Sequence, residues 1–169
     1  MKIGIDFDNT IVNTKETVRK FMDKYNIEEF KNEEEKTLFY REHIDDITKN
    51  LTLKENVIEV LNRLKQNNEL FIITDRSNYY SNNLKFLTLE FIKENNIPIN
   101  NVYFNTGLKF EKCLELNIDI FIDDLIINCQ LVNKAGIRTL IFENDCEGIR
   151  RVNNWLEIEE VIAKWKKGL

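Results

Sequence analysis

The feature that most constrains the fold is an alternation of short apolar runs with longer segments of helical periodicity. The runs are rich in Ile, Phe and Val, and we predict strands at residues 2–6, 69–74, 101–104, 118–122 and 138–142. Such runs are typical of parallel strands that crossover helices cover on both faces. The sequence therefore predicts an α/β protein, with a Rossmann-like, three-layer α/β/α arrangement around a parallel sheet.

The segment between the first two strands is longer than one crossover helix requires. We predict helices in the whole chain at residues 14–25, 33–50, 53–66, 78–95, 110–116, 126–135 and 158–166. Residues 13–52 are interpreted as a small helical cap inserted after the first strand, and residues 1–12 and 53–169 as the core. Thr52-Leu-Lys-Glu55 has capping-box spacing and predicts where the helix returning to the core begins.

Composition limits the classes of function. Of the 169 residues, 43% are hydrophobic and 31% are charged, and the net charge is −5. These values indicate a globular chain and argue against binding of polymeric nucleic acid or insertion into a membrane. Three cysteines at unrelated spacings fit a reducing compartment, so we expect a cytoplasmic protein. Because a strand-like segment stands at the N-terminus, we expect no signal peptide. The sequence gives no indication of oligomeric state.

Four aspartates follow predicted strands directly. Asp6 and Asp8 end the first apolar run, and Asp123 and Asp124 end the run 118–122. In parallel sheets the carboxyl ends of the strands form the ligand-binding edge. Unpaired carboxylates this close repel one another, and a divalent cation resolves the conflict. Their all-oxygen chemistry predicts Mg²⁺.

A hydroxyl and a lysine complete the predicted constellation. Thr74 ends the second strand, and its hydroxyl, together with the backbone N–H groups that follow from Asp75 onward, suits a phosphate oxygen. Lys109 stands at a helix N-terminus, where a cation opposes the helix dipole and requires an anionic partner. Lys112, one turn further on, is the alternative lysine.

In order and spacing, these residues resemble the haloacid dehalogenase superfamily of phosphohydrolases. The pattern of that family is an Asp-x-Asp-x-Thr strand end, a strand-ending Thr or Ser, a Lys and a strand-ending acidic pair. Here these elements are Asp6-Phe-Asp8-Asn-Thr10, Thr74, Lys109 and Asp123-Asp124. Asn9 stands where the family often has Gly, and Asn tolerates the same left-handed backbone conformation.

The resemblance implies a role for each residue. Asp6 would attack phosphorus and form an aspartyl-phosphate, and Asp8 would act as general acid and then as general base. Thr74, Asp75, Lys109 and Asn9 would hold the phosphoryl oxygens. Mg²⁺ would be bound by Asp6, by the main-chain carbonyl of Asp8, and by Asp123, Asp124 or both.

Within the superfamily, the chain is most similar to the 5′(3′)-deoxyribonucleotidase type C group of nucleotidases. That resemblance implies a small phosphorylated metabolite as partner, with a nucleoside monophosphate as the first choice. Arg76, Phe7 and Arg41 are candidate contacts to the substrate. Sugar phosphates and acid phosphates are the alternative substrates.

Two other classes of protein could use related residues. Phospho-acceptor signalling domains also combine an acidic cluster, a Thr and a Lys, but their acidic pair comes early in the chain. Here the pair at Asp123 and Asp124 comes after Lys109. A non-catalytic phospho-ligand binding protein of the same fold is a further alternative, although every catalytic position of the pattern is filled.

Overall fold

The computed structural model describes residues 1–168 and contains one parallel sheet of six strands. The strands are β1 (Lys2–Ile5), β2 (Glu69–Thr74), β3 (Asn101–Phe104), β4 (Ile120–Asp123), β5 (Arg138–Phe142) and β6 (Arg150–Val152). Their order in the sheet is β3-β2-β1-β4-β5-β6, and every neighbouring pair is parallel. The reversal of strand order beside β1 is a topological switch point, where ligands bind in open parallel sheets.

Seven helices in the described part of the chain connect these strands. They are α1 (Thr14–Lys24), α2 (Glu33–Lys49), α3 (Val57–Lys65), α4 (Leu84–Glu94), α5 (Lys109–Leu116), α6 (Ile126–Lys134) and α7 (Trp155–Lys166). Among residues 1–168, none of the helices is both long and apolar enough to cross a membrane.

Alternating side chains of the strands face two different helix layers. Leu70 and Ile72 of β2 belong to an apolar cluster that includes residues of α3 and α7. Phe71 and Ile73, one position away, pack in a second cluster with residues of α5 and α6. Because the sheet is buried on both faces, its strands read as continuous apolar runs. The predicted three-layer α/β/α class is confirmed.

Helices α1 and α2 share an apolar cluster of their own, formed by Val18, Met22, Phe39, Ile44, Ile47 and Leu84. Leu84 belongs to α4, so the two helices also pack on the beginning of α4. This arrangement brings α2 to the sheet edge where the acidic residues lie. The division into a cap at residues 13–52 and a core at residues 1–12 and 53–169 stays a prediction.

Several element boundaries differ from the sequence prediction. The prediction that a helix begins at the capping box of Thr52 is wrong, because α3 begins only at Val57. Asn56, just before it, has a left-handed conformation with φ of 59°. Helix α4 begins at Leu84 instead of residue 78. The Ser77 and Ser81 hydroxyls accept hydrogen bonds from backbone N–H groups of the preceding loop and so compete with helix formation. Strand β6 was not predicted, because it is short and begins with two exposed arginines.

Candidate active site

The predicted site residues converge at the carboxyl edge of the sheet. Asp6 follows β1, Thr74 ends β2 and Asp123 ends β4, so the parallel topology delivers all three to one edge. They line a cavity of about 240 Å³. Its lining is formed by Asp6, Asp8, Asn9, Lys15, Thr74, Asp75, Lys109, Asp123, Asp124, Leu125 and Asn128. The cavity is thus surrounded by anionic, cationic and hydroxyl groups, the chemistry that binds a phosphoryl group with its cation.

Lys109 lines this cavity and connects two of its carboxylates. It is the first residue of α5, and its Nζ donates hydrogen bonds to Asp6 Oδ1 at 2.5 Å and to Asp123 Oδ2 at 2.9 Å. Its side chain is only 3% exposed, so the ammonium is shielded from water. Lys112, the alternative lysine, instead pairs with Glu115 on the outside of α5. Asp6 and Asp123 are therefore the anionic partners that a lysine at a helix N-terminus requires.

The pKa values in the cavity reflect an excess of buried negative charge. Burial raises the pKa of Asp6 well above its ordinary value; the neighbouring carboxylates of Asp123 and Asp8 add to the rise, and Lys109 opposes it. Burial by itself would lower the pKa of Lys109, but Asp6 and Asp123 outweigh it and raise that pKa. One ammonium therefore faces two carboxylates, and an additional cation would favour the ionised form of Asp6.

Three carboxylates lie close enough together to bind one metal ion. One oxygen each from Asp6, Asp123 and Asp124 lies within 4.8 Å of the other two. All three residues are buried, and the backbone N–H of Leu125 and the Asn128 amide donate to the Asp123 carboxylate at 2.7 and 3.0 Å. Hard oxygen donors held in this way suit a divalent cation such as Mg²⁺. The residues present therefore fit the ion that the sequence predicts.

Asp8 lines the same cavity, but its carboxylate is engaged on the other side. Arg76 Nε donates to Asp8 Oδ2 at 2.9 Å, Arg76 Nη2 donates to Asp8 Oδ1 at 2.7 Å, and the Thr14 hydroxyl donates to Oδ1 at 2.6 Å. Burial would raise the pKa of Asp8, but the Arg76 guanidinium and the Thr14 hydroxyl outweigh it and hold that pKa below its ordinary value. The Asp8 side chain is thus separate from the three carboxylates that suit a metal.

The other predicted contacts differ in their placement. Asn9 adopts the left-handed conformation expected of it, with φ of 59°, and its side-chain oxygen accepts a hydrogen bond from the Lys15 backbone. Phe7 is fully buried beneath the Arg76 guanidinium, and Arg41 lies over the ring of Tyr79. The structure therefore brings neither Phe7 nor Arg41 into the lining of the acidic cavity.

Three contributors were not identified from the sequence. Thr14 reaches Asp8, Asn128 reaches Asp123, and Lys15 Nζ forms an ion pair with Asp124 at 2.9 Å. Asn128 stands five residues after Asp123 on the first turn of α6, where an inward-facing amide could have been suspected. Thr14 and Lys15 begin α1, and no sequence signal indicated that this turn faces the sheet edge.

A second cavity, also of about 240 Å³, adjoins the first, and Asp8 and Asp75 line both cavities. It lies between α2 and the loop before α4, and Tyr40, Ile44, Tyr80 and Leu84 form its apolar side. The rings of Tyr40 and Tyr80 are 5.2 Å apart and inclined by 32°. The site therefore combines a charged cavity with an adjoining aromatic one.

Comparison with known proteins supports the fold. No family model matches the chain. A protein from Clostridium acetobutylicum named nucleotidase is 28% identical over 138 residues, which cover 78% of this chain and 70% of that protein. Among solved structures, a haloacid dehalogenase-like family hydrolase from Streptococcus pneumoniae matches with a TM-score of 0.69 at 12% identity, over 95% of this chain and 97% of that one.

A protein from Bacillus subtilis, solved with magnesium bound, matches with a TM-score of 0.65 at 10% identity. That match covers 95% of this chain and 97% of the other. At such identities the solved structures establish a common architecture, and they agree with the resemblance drawn from the sequence motifs. The chain therefore has the fold of the haloacid dehalogenase-like hydrolases.

Proposed function

We propose that the protein is a Mg²⁺-dependent phosphomonoester hydrolase with Asp6 as its nucleophile and nucleoside monophosphates as substrates. The observation that carries the proposal is the meeting of Asp6, Thr74, Lys109, Asp123 and Asp124 in one cavity. This cluster places three buried carboxylates around one buried ammonium. Such an excess of buried negative charge lowers the stability of the folded protein unless a ligand binds to the cluster. The similarity to a nucleotidase supports the same class of reaction.

The reaction would proceed in two displacements. In the first, a carboxylate oxygen of Asp6 attacks phosphorus, the bond from phosphorus to the leaving oxygen breaks, and Asp8 gives its proton to that oxygen. Because Arg76 lowers the pKa of Asp8, the negative charge of the bound phosphate would have to raise that pKa for Asp8 to carry the proton. In the second, Asp8 accepts a proton from a water molecule whose oxygen attacks phosphorus. The bond from phosphorus to Asp6 then breaks, and inorganic phosphate is released.

The other residues would bind and orient the phosphoryl group. Lys109 and Thr74 line the cavity, where the ammonium and the hydroxyl would contact phosphoryl oxygens. Asp6, Asp123 and Asp124 would hold Mg²⁺, with the main-chain carbonyl of Asp8, and the ion would neutralise the charge between nucleophile and phosphoryl group.

The aromatic cavity favours a nucleoside as the leaving group. It adjoins Asp8, the proposed proton donor, and the aromatic side chains of Tyr40 and Tyr80 in its lining would contact a planar base. A sugar phosphate would leave these apolar walls without a matching group. This contrast favours nucleotides over the alternative sugar and acid phosphates.

The test is phosphate release from a panel of nucleotides, sugar phosphates and acid phosphates, with Mg²⁺ and with EDTA. We expect turnover that requires Mg²⁺, that is highest for nucleotides and that Asp6→Asn abolishes. The exposed Asp145, on the β5–β6 connection, pairs with Arg151 and does not line the cavity, so it provides the matched control Asp145→Asn, which should retain full activity. Full activity in Asp6→Asn would contradict the mechanism, and preference for sugar phosphates would contradict the substrate.

A further inference from the structure

Arg76 connects the proposed proton donor to the helices beside the site. Its guanidinium has five N–H donors, and four of them make hydrogen bonds. Two reach the Asp8 carboxylate; the other two run from Nη1 to the hydroxyls of Thr48 and Thr88, at 3.1 and 3.2 Å. Thr48 belongs to α2 and Thr88 to α4, so one side chain joins three parts of the chain.

The surroundings of Arg76 hold it in a single orientation. The side chain is 4% exposed, and the guanidinium lies over the ring of Phe7 at 4.9 Å. The Thr88 hydroxyl in turn donates to the Leu84 carbonyl at 2.7 Å, which orients its lone pairs toward Arg76. A planar guanidinium bound on both edges and one face has little freedom to turn toward another ligand.

We propose that Arg76 is a positioning residue that holds the Asp8 carboxylate in place for proton transfer to the leaving group. The inference rests on the proposed phosphatase function and deepens it. The two hydrogen bonds from Arg76 hold the plane of the Asp8 carboxyl group. The hydrogen bonds to Thr48 and Thr88 in turn hold the Arg76 guanidinium in position. The packing of α2 against α4 thereby determines the position of Asp8, the proposed proton donor.

This role differs from a contact with substrate. A guanidinium that binds substrate would direct most of its N–H groups to the ligand, whereas four of the five N–H groups of Arg76 are directed to Asp8, Thr48 and Thr88. Loss of a substrate contact raises KM for every substrate that makes it. Loss of a well-placed proton donor lowers kcat, and most strongly when the leaving oxygen must be protonated.

The test compares two substrates in wild type, Arg76→Met and Arg76→Lys. One is the alkyl phosphate that wild type hydrolyses fastest in the metabolite panel, and the other is p-nitrophenyl phosphate, whose leaving group departs without a proton. For Arg76→Met we expect kcat to fall about 100-fold on the alkyl phosphate and less than about 5-fold on p-nitrophenyl phosphate. Arg76→Lys keeps the charge and should recover part of the loss.

Two milder variants protect the test against misfolding. Thr48→Val and Thr88→Val keep the contact between Arg76 and Asp8 but remove acceptors from Nη1, so each should reproduce the leaving-group effect at about 3- to 10-fold. Thr17→Val is the matched control, because Thr17 is equally buried and its hydroxyl bonds only the Asn13 carbonyl. Thermal unfolding measures the folded state of each variant independently of activity.

The outcomes separate the two proposals. An equal loss of kcat on both substrates, or a rise in KM alone, would overturn the positioning role while leaving the phosphatase function intact. In Asp8→Asn, Arg76→Met should cause no further loss on the alkyl phosphate, and an additive loss would overturn the inference. Absence of turnover by wild type on every substrate would overturn the proposed function and, with it, this inference.

Discussion

Two buried cations organise the charges at the scale of single residues. Lys109 faces Asp6 and Asp123, and Arg76 faces Asp8. This arrangement divides the carboxylates between two environments. Asp6 is buried among like charges, which raises its pKa, whereas Asp8 is paired with a guanidinium, which lowers its pKa. The proposed roles require the reverse, an ionised Asp6 and a protonated Asp8. A Mg²⁺ ion beside Asp6 would lower the pKa of Asp6, and the negative charge of a bound phosphate would raise the pKa of Asp8.

The two lysines of α5 provide a matched pair for testing the role of Lys109. Lys109→Met should lower kcat by about 100- to 1,000-fold, because it removes the ammonium beside Asp6. Lys112→Met should leave kcat within about 2-fold, since that lysine pairs with the exposed Glu115. Steady-state phosphate release measures both variants. A larger loss in Lys112→Met would show that the wrong lysine has been assigned.

Asp124 should cost stability until a cation binds. Burial raises its pKa, and the ion pair with the exposed Lys15 only partly opposes the rise. A raised pKa means that the ionised form is disfavoured in the folded protein, so its cost is present at neutral pH and disappears as the pH falls through the folded pKa. In EDTA at neutral pH, Asp124→Asn should therefore be at least as stable as wild type.

Saturating Mg²⁺ should reverse that ranking. Wild type should gain about 2 to 3 kcal/mol of unfolding free energy at a concentration 100 times the dissociation constant, and Asp124→Asn should gain less. Thermal unfolding with and without Mg²⁺ measures the difference, and Asp145→Asn serves as the control for loss of a carboxylate. An equal gain in wild type and Asp124→Asn would exclude Asp124 from the metal site.

At the scale of elements, α2 brings an aromatic wall to the site. Tyr40 lies on α2 beside the cavity that adjoins Asp8, so Tyr40→Ala should raise KM for nucleotides about 5- to 10-fold with little change in kcat. Tyr25→Ala is the matched control, because Tyr25 follows α1 and stacks on His43. Steady-state kinetics on a nucleotide and on a sugar phosphate should show the effect with the nucleotide alone. The same rise for both substrates would contradict binding of a base at Tyr40.

The buried elements could be predicted more closely than those at the edges. All five predicted strands are present, since their apolar runs satisfy burial on both faces and admit little else. Strand β6 was missed because an edge strand needs no such run, and its first two residues are exposed arginines. The start of α4 was placed too early because serine side chains bond the backbone of the loop before Leu84.

The convergence of the site residues followed from topology, whereas their pairings did not. Once Asp6, Thr74 and Asp123 were placed at the ends of parallel strands, their meeting at one edge was expected. The bond between Arg76 and Asp8 joins residues far apart in sequence, and it depends on how α2 and α4 seat the guanidinium. No local pattern encodes that geometry.

At the scale of the whole molecule, the site depends on a tightly packed centre of the sheet. Gly4 lies in β1, and a Cβ there would meet Ile73 Cδ1 at 2.9 Å and Phe121 Cδ2 at 3.2 Å. Gly4→Ala should therefore lower the free energy of unfolding by about 1 to 3 kcal/mol. Urea denaturation measures the change. A change below about 0.5 kcal/mol would show that the centre of the sheet accommodates a methyl group without strain.

The most direct test of Asp6 as nucleophile is a rapid-quench experiment on Asp8→Asn with p-nitrophenyl phosphate and Mg²⁺. The leaving group needs no proton, so the first displacement should proceed, while the second lacks its base. We predict a burst of about one nitrophenolate per enzyme and a phosphoryl group on the peptide that contains Asp6, found by mass spectrometry. Nitrophenolate release without a burst, or a phosphoryl group on any other residue, would contradict the assignment of Asp6.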